Sequence, residues 1–296
     1  MPMRVKAESN NGVKKGAVPF RRFFLFLFLS ASLISIHAQP FDYGKYSAVF
    51  YAATSIQGMV DYEWLKENPS QLNAFVHDIA SLDKNRYESW SGNDKIAFYI
   101  NVFNALCIKI IVDNYPIEGG LFKSLIYPKK SIMQISGAFN KIEFTVIGEA
   151  VTLEFIRDSI LIGQFNEPRV HCTLSYGARG GPSLPGRPYE GEDLDVMFRF
   201  AAKEIVNDSS MFLVDRNKKK VYISELFLWH EDDFVPDFST DTLFAHLEPA
   251  QGAVMNFFHS ITIDPNKQFL KENTFKIEYI DFDWRLNDKK DMFYVP

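Results

Sequence analysis

Apolar residues recur every three to four positions through most of the first half of the chain. Tyr46 to Ser55, Ser70 to Leu82 and Asn93 to Asn114 each hold that spacing over a helix-like length. The third has Asn93 and Asp94 at its start and Pro116 just past its end, which are boundary signals. It is apolar nearly all round, from Ile96 and Phe98 to Ile108 and Ile111, so it is expected to be the buried central helix. Strand-like patterns follow: Ile142-Glu-Phe-Thr-Val-Ile147 alternates before Gly148, and Val170-His-Cys-Thr-Leu-Ser175 is a short β-branched run between Pro168 and Gly177. Met211 to Val214 and Lys220 to Ile223 flank Asp215-Arg-Asn-Lys218 and predict a hairpin. Leu194, Met197, Phe198, Ala201 and Ile205 mark one face of an amphipathic helix. Short helices near Ser224 to Trp229 and Ala250 to Phe258, and a last strand at Phe275 to Phe282, complete the pattern. Helices first and strands later predict an α+β fold, a mainly helical N-terminal half packed on a small, mostly antiparallel sheet.

The extreme N-terminus breaks the pattern. Basic residues ending at Arg21-Arg22 precede fourteen uncharged, mostly apolar residues, Phe23 to Ile36, and small Ala38 offers a cleavage point. This is the layout of a secretory signal peptide, so residues 1–38 are expected to be removed and 39–296 to form a single globular domain outside the cytoplasm, periplasmic or secreted. The apolar run is short for a bilayer span, and no membrane insertion is expected after cleavage.

Cleavage changes the charge. The whole chain has 32 basic and 37 acidic residues; the leader removes six basic and one acidic, leaving 26 against 36, a net of about −10. Such a surface repels polyanions, so neither nucleic acid nor anionic lipid is expected as a partner. An unidentified protein or small molecule remains. Two cysteines, Cys107 and Cys172, allow at most one disulfide, and both sit in apolar runs where a cysteine usually packs as a small hydrophobe.

Five features invite chemistry. Asn101 and Asn104, three apart on the most apolar helix, must find polar partners; backbone of a neighbouring loop or strand end is the expected one, and an amide lining a site is the alternative. His171, after Arg169, has the chemistry of a general base, although a hydrogen-bonded core histidine is the expected reading, and Cys172 beside it on a strand would point to the opposite face. Gly177-Ala-Arg-Gly-Gly-Pro-Ser-Leu-Pro-Gly-Arg187 sets Arg179 and Arg187 among backbone N–H groups, the ingredients of an anion nest, although a rigid loop without ligand is the expected reading. Acidic clusters at Trp229-His-Glu-Asp-Asp233 and Asp281 to Asp288 lack the glycine and glutamate of a calcium loop and read as helix-end and surface charges. No zinc-histidine, Walker, dinucleotide or serine-elbow motif occurs, and neither metal nor cofactor is expected.

Taken in order, several segments resemble the family catalogued as domain of unknown function 547. They are Gly58-Met-Val-Asp-Tyr62, Lys95 to Ala105 with Asn114-Tyr-Pro116, Glu167-Pro-Arg-Val-His171, Leu226 to Phe234, and Tyr279 to Asp288. The resemblance implies a glutamate at the position of Arg157, an arginine at Ile162, and cysteines at Tyr176 and Gly181. A glutamate, histidine and cysteine close together invite comparison with papain-like or transglutaminase-like enzymes acting on peptide or acyl substrates. This chain keeps only the histidine. The expectation is therefore a non-catalytic binding or structural module with Arg169, Tyr176 and Arg179 as candidate ligand contacts. The alternative is a hydrolase or transferase using His171, Asn104 and Asn101.

Overall fold

A computed structural model describes residues 40–291, so the leader at 1–38 lies outside the described residues. Five helices come first: α1 Gly44–Ala53, α2 Tyr62–Glu67, α3 Ser70–Ala80, α4 Lys84–Glu88 and α5 Gly92–Asp113. The short helices α2 and α4 escape a periodicity reading because each holds fewer than two turns. They form because Asp61 and Asp83 cap them, accepting from the Trp64 and Arg86 amides. The cap of α5 is Ser91, whose side chain accepts from the Asp94 amide, two residues ahead of the start expected from Asn93. From Ile96 to Ile108 the burial of α5 is unbroken. The helix is long and apolar enough to cross a membrane, yet it serves as the central post of the core, with α2 and α3 packed on it.

The expected strand at Ile142–Ile147 is shorter than its pattern. Strand β1 (Phe144–Val146) pairs antiparallel with β2 (Glu149–Val151) across Ile147 and Gly148, both with positive φ (52° and 75°), as a tight hairpin turn requires. Ile147 tolerates that backbone because its amide donates to Ile79 O at 2.8 Å, pinning the turn to the end of α3. A wide helix, Phe155–Ile162, with i→i+5 bonds, follows; no sequence pattern announced it.

The expected strand at Val170–Ser175 is not a strand. Pro168–Cys172 is a 3₁₀ helix, capped by the Glu167 carboxylate, which accepts from the Arg169 amide. A proline at the first helical position and an acidic cap outweigh the β-branched residues, and Thr173 Oγ1 folds back onto Val170 O at 2.8 Å.

The remaining elements follow their patterns more closely. Helix α6 (Leu194–Asn207) precedes the hairpin β3 (Phe212–Asp215) and β4 (Lys220–Ser224), whose turn is fixed by Asp215 accepting from the Lys218 amide at 2.9 Å. Then come α7 (Glu225–Trp229), α8 (Val235–Phe238), α9 (Pro249–Ile261) and α10 (Asn266–Glu272). The last strand, β5 (Lys276–Ile280), joins β4 in parallel, with Val221 opposite Ile277, so the three-stranded sheet is mixed. The fold is α+β as expected, with one hydrophobic cluster running from Phe41 to Leu286.

After β5 the chain passes back over the helical half. Asp288 bridges Val60, Leu286 bridges Ala178, and the Tyr62 hydroxyl donates to Asn287 Oδ1 at 2.6 Å. This return segment pairs with the backbone of the glycine-rich loop and ties it to the helical half.

Candidate functional site

The two asparagines on α5 act as substitutes for a strand edge. Asn104 donates to Thr173 O and accepts from the Ser175 amide, each at 2.9 Å. Asn101 does the same for Tyr189, donating to its carbonyl at 2.8 Å and accepting from its amide at 2.9 Å. Both amides are buried and occupied by backbone. They hold the loop that carries the site in place, and neither lines an opening.

His171 is fully buried, and its Nε2 lies 2.8 Å from Asp233 Oδ2. Asp233 comes from the 3₁₀ turn Glu231–Phe234 after α7. His230 Nδ1 is 3.6 Å from the same oxygen, and the two imidazoles stack with centroids 4.1 Å apart and 14° between planes. Burial pushes His171 down to about 4, reinforced by His230 and Arg157, while the bond to Asp233 opposes the shift. Burial alone would raise Asp233, but the hydrogen bonds from His171 and His230 outweigh it and hold the carboxyl well below its usual range. At neutral pH the pair is therefore a neutral imidazole donating from Nε2 to a carboxylate. That leaves Nδ1 as a buried acceptor with no hydrogen-bond partner among the described residues.

Tyr176 sits close by in chain and in space. Its backbone is left-handed (φ 56°), followed by left-handed Gly177 (φ 63°), an unusual conformation for a bulky residue. A Cβ on Gly177 would fall 2.3 Å from Ile111 Cδ1, so α5 packs directly against that backbone. The Tyr176 ring is boxed by Phe103, Phe139 and Phe282 at 5.7, 5.9 and 6.1 Å. Burial pushes its phenol up to about 12 even though Arg157 pulls the other way. Arg157, from the wide helix, binds the neighbouring Asp158 through Nε and Nη2 while acting electrostatically on both Tyr176 and His171. The structure thus gathers Arg157, His171, Tyr176, His230 and Asp233. Sequence reasoning placed His230 and Asp233 among surface charges, and that reading is corrected here. The signal available was that Trp229 to Phe234 belonged to a segment carrying the family resemblance.

His171, His230 and Asp233 each offer a ligand atom within 4.8 Å of the others, the donor set of a small cation site. The stacked rings oppose that use. A metal bonds in the plane of an imidazole, and one ion cannot lie in two nearly parallel planes unless a ring turns.

The other candidates disperse. Arg169 chelates Glu167 through Nε and Nη2 (2.7 and 2.6 Å), reaches Asp195 at 2.9 Å, and lies 4.4 Å from the Phe198 ring centroid, so it fastens α6 to the 3₁₀ turn. The glycine-rich loop is not an open nest. The amides of Arg179 and Gly180 donate to Arg285 O and Asp283 O at 2.8 and 2.9 Å, and a Cβ on Gly181 would fall 2.4 Å from Ser175 O. Arg179 itself donates to the carbonyls of Leu286 and Asp291 in a shallow cleft of about 410 Å³ that also holds Asp208 and Asp291. Arg187 turns away to Asp193. Cys107 and Cys172 are free and buried, burial raises both thiols well above their ordinary range, and among the described residues neither bonds the imidazole.

Residues 87–206 match the model of a family described as protein of unknown function, DUF547. The chain resembles that family. The matched stretch carries α5, the wide helix, the 3₁₀ turn and α6, and so three of the five gathered residues, Arg157, His171 and Tyr176; His230 and Asp233 lie beyond it. No curated protein matches the chain, and no solved structure does.

Proposed function

We propose that the chain is an exported binding or structural module that performs no thiol chemistry. The observation that carries this reading is the Tyr176 phenol, held in an aromatic box and pushed up to about 12, at the position where the resemblance implies a cysteine. A group protonated across the whole physiological range supplies no attacking anion, and both real thiols are buried. Charge reversal at Arg157, against the glutamate the resemblance implies, supports the same reading, since a guanidinium beside His171 opposes formation of an imidazolium. Export rests on the leader's composition, and processing at Ala38 is checked by N-terminal sequencing of the secreted product.

A second reading is favoured by one distance. The 2.8 Å contact between His171 and Asp233 is the arrangement of an oriented general base, and its free Nδ1 has the lone pair such a base needs. A hydrolase or transferase of peptide or acyl groups would use that atom. The purified chain, offered activated esters and a peptide library, is expected to give no turnover above buffer, and a pull-down from an envelope fraction is expected to recover a partner. Turnover that disappears in His171→Gln, with the fold retained by circular dichroism, would overturn the non-catalytic reading.

A further inference from the structure

The largest departure from ordinary surface chemistry lies at the turn between α5 and β1. Within six residues, Leu121, Phe122, Leu125 and Ile126 are exposed by 88, 83, 83 and 77%. Clusters of this kind on an otherwise polar surface mark contact sites, because each side chain gains on leaving water. The turn is braced from below. Gln134 accepts from the Gly120 amide at 3.1 Å and donates to Tyr127 O and Pro128 O at 3.2 and 3.0 Å, while Lys123 Nζ donates to Met133 O at 3.1 Å. The apolar tip is thus held outward on a hydrogen-bonded base.

We propose that residues 117–130 dock this protein onto an anionic lipid surface as a shallow wedge. The order of chemistry along the projection identifies the occupant. Four hydrocarbon side chains lead. Behind them comes an aromatic level: Tyr127 packs edge-on to Trp284 (6.1 Å), and Trp284 stacks on half-exposed Trp229 (5.8 Å). At the base is exposed Lys129, next to Lys130, which is paired with Asp291 at 3.1 Å, and Lys123, which is tied inside the turn to Met133 O; Glu118 is the only acid from 117 to 130. Apolar tip, aromatic belt and basic collar are the layers of a bilayer from acyl chains to headgroups. Two copies meeting tip to tip would bring their lysine collars together, which disfavours self-association. The acidic remainder of the molecule is repelled by the same headgroups, so contact stays confined to the tip and does not become a span. The Tyr127–Trp284–Trp229 series sets this wedge beside the segment holding His230 and Asp233.

The test is co-sedimentation of the leaderless chain with phosphatidylcholine vesicles containing about a third phosphatidylglycerol. Binding is expected there and is expected to be weaker on phosphatidylcholine alone. Leu121→Ser with Phe122→Ser should weaken binding by about tenfold or more. Lys129→Glu should weaken it by about fivefold or more at physiological salt. Both variants alter exposed side chains, so an unchanged melting temperature is the check on folding. No sedimentation of the parent, or equal binding by the double variant, overturns the proposal. A concentration-dependent dimer that the double variant abolishes, without vesicle binding, assigns the tip to self-association and overturns it equally.

Discussion

At the scale of single residues, the site is defined by an imidazole kept neutral by its surroundings. An unfolded chain takes up a proton on His171 near pH 6.5, whereas the folded chain resists until about pH 4. Between those values the unfolded state binds more protons, so stability contributed by this group is full above pH 6.5 and drains away as pH falls toward 4. The loss is on the order of 3 kcal/mol. Urea denaturation of the parent at pH 7 and pH 4.5 is expected to reveal that slope, and His171→Gln should flatten it; an unchanged slope would refute the buried neutral state. Asp233→Ala leaves the Nε2 proton without an acceptor and is expected to lower stability by about 1–3 kcal/mol at pH 7 in the same measurement. His171 was recognisable from the sequence as a candidate base. Its partner was not, because Asp233 is one of three consecutive acids, and only the turn of Glu231–Phe234 decides which faces inward.

At the scale of elements, long periodic segments were legible and short capped ones were not. Helix α5 announced itself through 22 residues of apolar pattern, and the β3–β4 hairpin through its turn chemistry. Pro168–Cys172 misled because a short run with β-branched residues fits a strand or a helical turn equally; what decides is whether backbone partners exist, and here Asn104 supplies them from 69 residues away. That dependence gives an element-level expectation. Asn104→Ala leaves Thr173 O and the Ser175 amide buried and unpaired, and should destabilise the fold by about 2–4 kcal/mol. It should also raise hydrogen exchange from 170 to 178 more than in the hairpin β3–β4. Uniform loss of protection would show instead that the amide supports the core without positioning the loop. Gly177→Ala is expected to be more damaging still, since its methyl would strike Ile111 in a left-handed backbone.

At the scale of the whole molecule, the two thiols report on the core. Cys107 lies on the central helix and Cys172 beneath α6, both with about 1% exposure. In the native state neither is expected to react with a disulfide exchange reagent over hours, while both should react at once in 6 M guanidinium. Rapid native reaction of either would return a nucleophile to the molecule and reopen thiol chemistry.

The return of the chain after β5 has a consequence in time as well as in space. Residues 283–288 supply acceptors for Arg179 and Gly180 and hold Tyr62 and Val60, more than 100 and 220 positions earlier. Until that final stretch leaves the ribosome, the helical half has no latch and the glycine-rich loop lacks its backbone partners. A chain ending at residue 275 should therefore stay open and sensitive to protease, so the fold closes only in the last moments of synthesis.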